Sequence, residues 1–324
     1  DAVQTFNVRT GAVDGVYLET VPETLSYLRR CGDGFLAVGL GRGGLYAFDR
    51  SGCRVLKQGL RDNNIPSGGV HRIRGRTFAC LGDNGLFTRF DADTGAEAHV
   101  QIDNTTEVGM RLQMLKKQPG APVVVGSHFI NSQIFRLDLD TRRAGPSRHK
   151  IVLPPGQING ATFLNGTCYL GIYTQAVLAA YRPDRPFVCN ENPRTIAKVG
   201  HDQYRPVSLV NDGRLVYMAS KANYRALGGA ITVLDPATER LEVYRDFVPT
   251  QNPTGLFFDA ASGRLAGTTQ TFGDMRTCPA QAEGAVIFAW DTRTRATVHT
   301  AVPWETDVLG ALALSPGGLL LLEV

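Results

Sequence analysis

Short stretches of alternating hydrophobic and polar residues recur along the chain, and most end in an aromatic residue or leucine followed by aspartate. Successive copies end at Asp49, Asp91, Asp138, Arg182, Asp235 and Asp291. Alternation with a period of two predicts a half-buried β-strand. The aspartate that closes most copies supplies the chemistry of a tight turn. The pattern therefore predicts an all-β chain built from a repeated unit.

The copies follow one another at intervals of roughly 40–55 residues, close to the period of a four-stranded propeller blade. A further copy at residues 3–7 completes the repeat if it joins the apolar segments 311–314 and 319–322. That pairing would also cover residues 319–322, which would favour aggregation as an exposed edge strand. We therefore predict one domain over residues 1–324, a seven-bladed β-propeller whose last blade is closed by N- and C-terminal strands. The predicted blades are 25–57, 68–101, 107–150, 158–198, 204–248, 251–301, and 307–324 with 2–22.

Composition agrees with a large soluble core, since 43% of the 324 residues are hydrophobic and only 20% are charged. No run of about 20 apolar residues is present, so we expect no membrane-spanning helix. Only six of the 34 basic residues are lysine, and the excess of arginine favours either a codon bias or an anionic ligand. No block of five basic residues occurs, so nucleic acid is not an expected partner.

The cysteines and two glycosylation sequons suggest a secreted, extracellular glycoprotein whose signal peptide has been removed. Turn positions favour disulfides between Cys31 and Cys53 and between Cys168 and Cys189. The absence of a Cys-x-x-Cys motif argues against a structural zinc site. The sequons begin at Asn104 and Asn165. We expect the protein to be a monomer.

Polar residues suited to catalysis occur in the loops that would converge on one face of the propeller, where ligands bind to loops held by a rigid scaffold. The long loop 269–284 is predicted to form a wall over this face. The candidates are His71, Arg111, His128, Asn131, Asn159, Tyr173, Tyr204, Arg205, Lys221, Tyr224 and Asn252.

These candidates include almost no carboxylates, which argues against a two-carboxylate glycosidase and against a lactonase with a hard metal ion. Histidine, tyrosine, arginine and asparagine suit β-elimination at a uronic acid. Arginine or asparagine neutralises the carboxylate and acidifies the C5 hydrogen, while histidine or tyrosine moves protons. Such a reaction requires no cofactor, although a structural Ca²⁺ in the central channel is compatible with it.

Segments 169–176, 203–206, 227–236, 252–256 and 288–291 resemble a group of secreted seven-bladed propellers that includes polysaccharide lyases. The resemblance is closest to the fungal L-rhamnose-α-1,4-D-glucuronate lyase family active on gum arabic. It implies an acidic polysaccharide or oligosaccharide as substrate, and it places His128, Tyr173 and Arg205 in the site. His128 or Tyr173 would act as base or acid, and Arg205 would bind the carboxylate with Arg111 and Asn131. A non-catalytic carbohydrate- or protein-binding propeller and a metal-dependent lactonase remain the alternatives.

Overall fold

The computed structural model describes most of the chain, and its account is fullest from residue 156 onward. The described residues are 3–18, 25–31, 34–39, 44–49, 51–58, 70–73, 76–83, 86–91, 94–101, 112–129, 133–143, 149–150, 156–188, 190–315 and 317–323.

The strands of these residues form seven four-stranded antiparallel sheets, the number and size predicted from the repeat. The chain begins with β1 (Val3–Asn7) and β2 (Val13–Leu18). Sheet 1 contains β3 (Leu25–Cys31), β4 (Gly34–Gly39), β5 (Leu45–Asp49) and β6 (Gly52–Lys57). Sheet 2 contains β7 (Val70–Ile73), β8 (Arg76–Asp83), β9 (Leu86–Asp91) and β10 (Glu97–Gln101). Sheet 3 contains β11 (Leu112–Lys117), β12 (Val123–His128), β13 (Gln133–Asp138) and β14 (His149–Lys150).

The remaining sheets follow the same plan of neighbouring strands joined by short connections. Sheet 4 contains β15 (Gln157–Leu164), β16 (Thr167–Tyr173), β17 (Val177–Tyr181) and β18 (Arg194–Lys198). Sheet 5 contains β19 (Gln203–Asn211), β20 (Val216–Ala222), β21 (Ala230–Asp235) and β22 (Arg240–Arg245). Sheet 6 contains β23 (Asn252–Asp259), β24 (Arg264–Gln270), β25 (Ile287–Asp291) and β26 (Ala296–Ala301). Sheet 7 joins β27 (Gly310–Leu314) and β28 (Leu319–Glu323) to β1 and β2.

Sheet 7 brings the first and last described strands together, as the sequence predicts. β1 pairs antiparallel with β28, and the register places Gln4 opposite Leu322 and Phe6 opposite Leu320. The edge of β28 is thereby covered. Arg9, just after β1, fixes this end of the chain by donating from Nε and Nη2 to the two carboxylate oxygens of Asp259, both at 3.0 Å.

Hydrophobic side chains fill the space between the successive sheets 4 to 7. Between sheets 5 and 6, Tyr217 and Ile231 pack with Phe288 and Trp290, all of them at most 1% exposed. A second cluster joins sheets 6 and 7 around Phe6. The fourth strands are more exposed, and β26 alternates between exposed and half-buried positions. This gradient explains why the third strand of a blade, buried on both faces, carries the strongest sequence signal.

Two compact units emerge from the contacts between residues. The first contains sheets 1 to 3, and the second contains sheets 5 and 6, most of sheet 7, and sheet 4 from Asn159 onward. The prediction of a single domain over residues 1–324 stays a prediction. The one helical turn in the described ranges is a 3₁₀ turn, η1 (Asp274–Arg276). No helix among the described residues is long and apolar enough to cross a membrane.

The predicted disulfide between Cys31 and Cys53 is wrong. The two residues lie on β3 and β6, the opposite edge strands of sheet 1, and the thiol of Cys53 is free. Three strand spacings separate them, about 14 Å, whereas the Cα atoms of a disulfide lie about 4.4–6.8 Å apart. Cys189 lies outside the described residues, so its pairing with Cys168 stays a prediction.

Candidate functional site

Five of the predicted site residues lie together in the second unit. Two residues that the sequence did not single out join them, and we call the whole group the tyrosine–arginine cluster. Its members are Tyr173, Tyr204, Arg205, Lys221, Tyr224, Gln270 and Asp274.

Neighbouring strands and one loop position the cluster. Arg205 on β19 and Lys221 on β20 are register partners across the strand pair. The register of this pair shifts between Gln203 and Arg205, which leaves Tyr204 as the extra residue of a β-bulge. Bulges of this kind redirect side chains beside functional sites. Asp274 begins η1, inside the loop between β24 and β25 that was predicted to form a wall.

The guanidinium of Arg205 is the centre of the cluster. Its Nε donates to Oδ2 of Asp274 at 2.6 Å, and its Nη2 donates to the hydroxyl of Tyr224 at 3.1 Å. Its Cζ lies 3.9 Å from the centre of the Tyr173 ring, which is a close cation–π contact. Burial lowers the pKa of Arg205, but the hydrogen bond and charge of Asp274 outweigh this and hold the pKa above its usual value. Two of the five guanidinium N–H groups are used by these bonds. The others have no acceptor among the described residues.

The three tyrosines share one hydrogen bond and two ring contacts. The hydroxyls of Tyr173 and Tyr224 are 2.8 Å apart. The Tyr204 ring meets that of Tyr173 edge-on, with centroids 5.3 Å apart, and lies the same distance from that of Tyr224. Burial and the hydrogen bond with Tyr224 raise the pKa of Tyr173 to about 12. The Tyr173 phenol is therefore protonated at neutral pH and is able to donate a proton.

Lys221 and Asp274 are the other two charged residues of the cluster. The carboxylate of Asp274 is only 4% exposed, and its Oδ1 lies 3.7 Å from Nζ of Lys221. The same Nζ donates to Oε1 of Gln270 at 2.5 Å. Burial lowers the pKa of Lys221, the charge of Arg205 lowers it further, and Asp274 opposes both. Arg205 and Lys221 therefore both lie against the carboxylate of Asp274.

Asp274 is the functional residue that sequence reasoning missed. The loop 269–284 was singled out as a wall, but nothing in its residues showed that one carboxylate would turn inward onto Arg205. The exposed neighbours of Asp274 illustrate the difficulty, because Met275 is 73% exposed while Asp274 is 3% exposed. Only the position of β19 and β20 beside this loop distinguishes them.

Asn252 does not have the predicted role of contacting substrate, because it is fully buried. Its Oδ1 accepts from the backbone N–H of Ala222 at 2.9 Å, and its Nδ2 donates to the carbonyl of Phe272 at 3.3 Å. The amide therefore ties the end of β20 to the loop that carries Asp274, and it supports the cluster from behind.

The other predicted residues are not brought to this cluster by the described structure. His128 ends β12 in the first unit, and its ring is fully buried against Phe135, with centroids 5.4 Å apart. Buried in this way, His128 is not accessible to a polysaccharide, which counts against its predicted role as base or acid. Asn159 is half-buried on β15. His71 lies on β7, but its side chain is outside the described part, as are Arg111 and Asn131 altogether.

In the described part of the chain, no group of three or more histidine, cysteine, aspartate or glutamate side chains is arranged to hold a metal ion. The structural Ca²⁺ considered from the sequence stays a prediction.

Comparison with known proteins shows the fold. No protein-family model matches the sequence, and no curated protein matches it. Among solved structures, the extracellular domain of BT4673 from B. thetaiotaomicron aligns with 98% of this chain at 13% identity and a TM-score of 0.62. The alignment covers 39% of that structure, so the chain spans about two fifths of its length.

Two further structures give the same picture. The Cps50 (Swd1) β-propeller domain of Myceliophteria thermophila aligns over 94% of this chain and 97% of its own, at 13% identity and a TM-score of 0.63. Dihydro-heme d1 dehydrogenase NirN aligns over 88% of this chain and 57% of its own, at 12% identity and a TM-score of 0.56. Likeness at such low identity shows shared architecture alone. Together with the four-stranded sheets, it shows that this chain has a β-propeller fold.

Proposed function

We propose that the protein is a secreted polysaccharide lyase that cleaves a glycosidic bond to a uronic acid, of the rhamnose–glucuronate type, by β-elimination. The observation that carries the proposal is the arrangement around Arg205. A guanidinium with unused N–H groups lies 3.9 Å from the ring of a tyrosine that is protonated at neutral pH.

Arg205 suits the neutralisation of a uronate carboxylate. Its planar fork matches carboxylate geometry, and Asp274 holds it from the opposite side through Nε. Its side chain is 19% exposed, so a carboxylate that binds it is largely removed from water. Neutralising the carboxylate makes the hydrogen at C5 more acidic, which is the first requirement of β-elimination.

Tyr173 suits the departure of the glycosidic oxygen. A phenol with a pKa of about 12 holds its proton at neutral pH and releases it to a stronger base, such as the developing alkoxide at O4. The charge of Arg205, whose Cζ lies 3.9 Å from the centre of the Tyr173 ring, stabilises the resulting phenolate. His128 is left out of this assignment because its ring is fully buried.

The test is incubation of the protein with uronate-containing polysaccharides, gum arabic among them, while the absorbance of unsaturated uronate is followed. We expect Tyr173→Phe and Arg205→Met to lower kcat/KM by about 10²–10⁴-fold, the range for lost proton transfer or lost charge stabilisation. Tyr244→Phe and Arg240→Met are matched controls, because they remove a hydroxyl and a guanidinium that contact Glu242 outside the cluster. The controls should keep the activity of the unaltered protein.

Three further outcomes decide between the proposal and its alternatives. Reducing sugar formed without unsaturated uronate would indicate hydrolysis and contradict the proposal. Binding of the polysaccharide with no product would favour a non-catalytic carbohydrate-binding propeller. Activity abolished by EDTA and restored by Ca²⁺ or Zn²⁺ would show a metal requirement, whereas the proposed chemistry uses protein groups alone.

A further inference from the structure

We propose that Lys221, as a neutral amine, is the base that removes the C5 proton. This inference rests on the proposed function and deepens it, since sequence reasoning gave Lys221 only a role in binding substrate.

Two side-chain oxygen atoms, from Gln270 and Asp274, face Nζ of Lys221. Gln270 presents its oxygen to Nζ because its Nε2 donates to the backbone carbonyls of Phe272 at 3.0 Å and Gly273 at 3.4 Å. The amide is therefore fixed in one orientation. Oδ1 of Asp274 lies 3.7 Å from Nζ of Lys221. An –NH₂ group donates one hydrogen to the Gln270 oxygen, and its lone pair remains for another partner.

Burial favours the loss of the proton of Lys221, the charge of Arg205 adds to this, and Asp274 opposes both. Arg205 is its register partner on β19, and the charge of that guanidinium disfavours a second cation beside it. Asp274, from the loop between β24 and β25, is the one carboxylate against Lys221 in the described structure. Its other oxygen is held by Arg205 at 2.6 Å. Tyr173, whose ring lies against Arg205, keeps its proton at neutral pH because its pKa is raised to about 12.

Binding of substrate strengthens the base. A uronate on Arg205 adds a negative charge beside Lys221, and a nearby negative charge raises the proton affinity of an amine. In the proposed mechanism Lys221 reacts as a neutral amine, and it becomes more basic when the carboxylate is in place. Its side chain is 15% exposed, so water competes little for the lone pair.

The step balances in atoms and electrons. Nζ of Lys221 takes the C5 proton, and the electron pair of the C5–H bond forms the C4–C5 double bond. The C4–O4 bond breaks, and O4 takes the proton of the Tyr173 hydroxyl. Lys221 ends as an ammonium and Tyr173 as a phenolate, and proton exchange with water restores both.

Kinetics test this role directly. We expect Lys221→Met to lower kcat by about 10²–10⁴-fold with a change in KM of only a few-fold, and added methylamine to restore part of the rate. Lys198→Met, at an exposed position of β18, is the matched control. Retention of kcat within a few-fold in Lys221→Met would overturn the inference, and so would a lower rate that methylamine fails to restore and that tracks a lower melting temperature.

A second measurement, chemical modification of the lysines, does not depend on catalysis. Reductive methylation of the unaltered protein with formaldehyde and cyanoborohydride at pH 7, followed by peptide mass spectrometry, compares Lys221 with the other lysines. A neutral amine reacts first, so we expect early modification of Lys221 and its suppression by added glucuronate. Modification of Lys221 later than the exposed lysines would contradict the inference. Early modification without any lyase product would instead count against the proposed function alone.

Discussion

At the scale of single residues, the buried carboxylate of Asp274 does most to organise the site. It accepts from Arg205 and lies against Lys221 while it is almost fully removed from water. The pair of Arg194 and Glu239 offers a contrast, since both side chains are about 45% exposed. Removing one partner of a buried ion pair leaves an uncompensated charge, whereas an exposed pair contributes little.

We therefore expect Asp274→Asn to lower the free energy of unfolding by about 3–5 kcal/mol. Glu239→Gln should lower it by less than about 1 kcal/mol. Urea denaturation of both variants measures the difference. Equal losses in the two variants would show that the carboxylate of Asp274 does not stabilise the second unit.

The contacts of the site residues were harder to predict from the sequence than the positions of the strands. Tyr173, Tyr204, Arg205, Lys221 and Tyr224 were identified because each lies at a strand end or in an adjoining loop. Their contacts were not predictable, since they depend on a β-bulge and on a loop that comes from another sheet. The wrong pairing of cysteines in sheet 1 has the same origin, because nearness to turns does not reveal which strands are neighbours.

At the scale of elements, the spacing of alternating segments predicted the sheets well because the signals of a blade are local. The first predicted blade, 25–57, coincides with β3 to β6, and the sixth, 251–301, begins one residue before β23 and ends with β26. Where neighbouring strands approach closely, the space between them also limits which residue fits. Gly267 on β24 is an example, because a Cβ atom there would lie 2.2 Å from the carbonyl oxygen of Gly255 on β23.

We expect Gly267→Ala to destabilise the protein by about 1–3 kcal/mol or more, because a backbone oxygen cannot yield as a flexible side chain can. Gly317→Ala is the matched control, since its nearest neighbour would be Oγ of Ser315 at 3.6 Å, an ordinary contact. Thermal unfolding of the two variants decides the question. A melting temperature of Gly267→Ala equal to that of the control would show that β23 and β24 separate without cost.

At the scale of the whole molecule, buried phenols make stability depend on alkaline pH. Burial raises the pKa of Tyr217 to about 12, helped by its hydrogen bond to Asp212, and burial likewise raises the pKa of Tyr173 to about 12. A raised pKa means that the unfolded chain releases the proton first. The stability is then complete below about pH 10, the usual tyrosine value, and is lost as the pH rises toward 12. Lys221 acts in the opposite sense, because its lowered pKa costs stability that is regained as the pH rises.

We expect the free energy of unfolding to fall by about 1–2 kcal/mol per buried tyrosine between pH 9 and pH 11. Tyr217→Phe should start from a lower stability, having lost a hydrogen bond, but should show a shallower fall over this interval. Urea denaturation at several pH values measures both slopes. Identical slopes for the two proteins would contradict the raised pKa of Tyr217.

The pairing of β1 with β28 has a consequence for synthesis on the ribosome. β1 emerges before the strands of sheets 1 to 6, yet its partner strand is translated only after them. Sheets 1 to 6 are able to form while the chain is still growing, but sheet 7 is not. During that interval the hydrophobic face of β1 around Phe6 has no cover from β28. A cell that makes this protein must therefore protect an unpaired strand while sheets 1 to 6 are translated, and a chaperone that holds β1 during that interval should raise the yield.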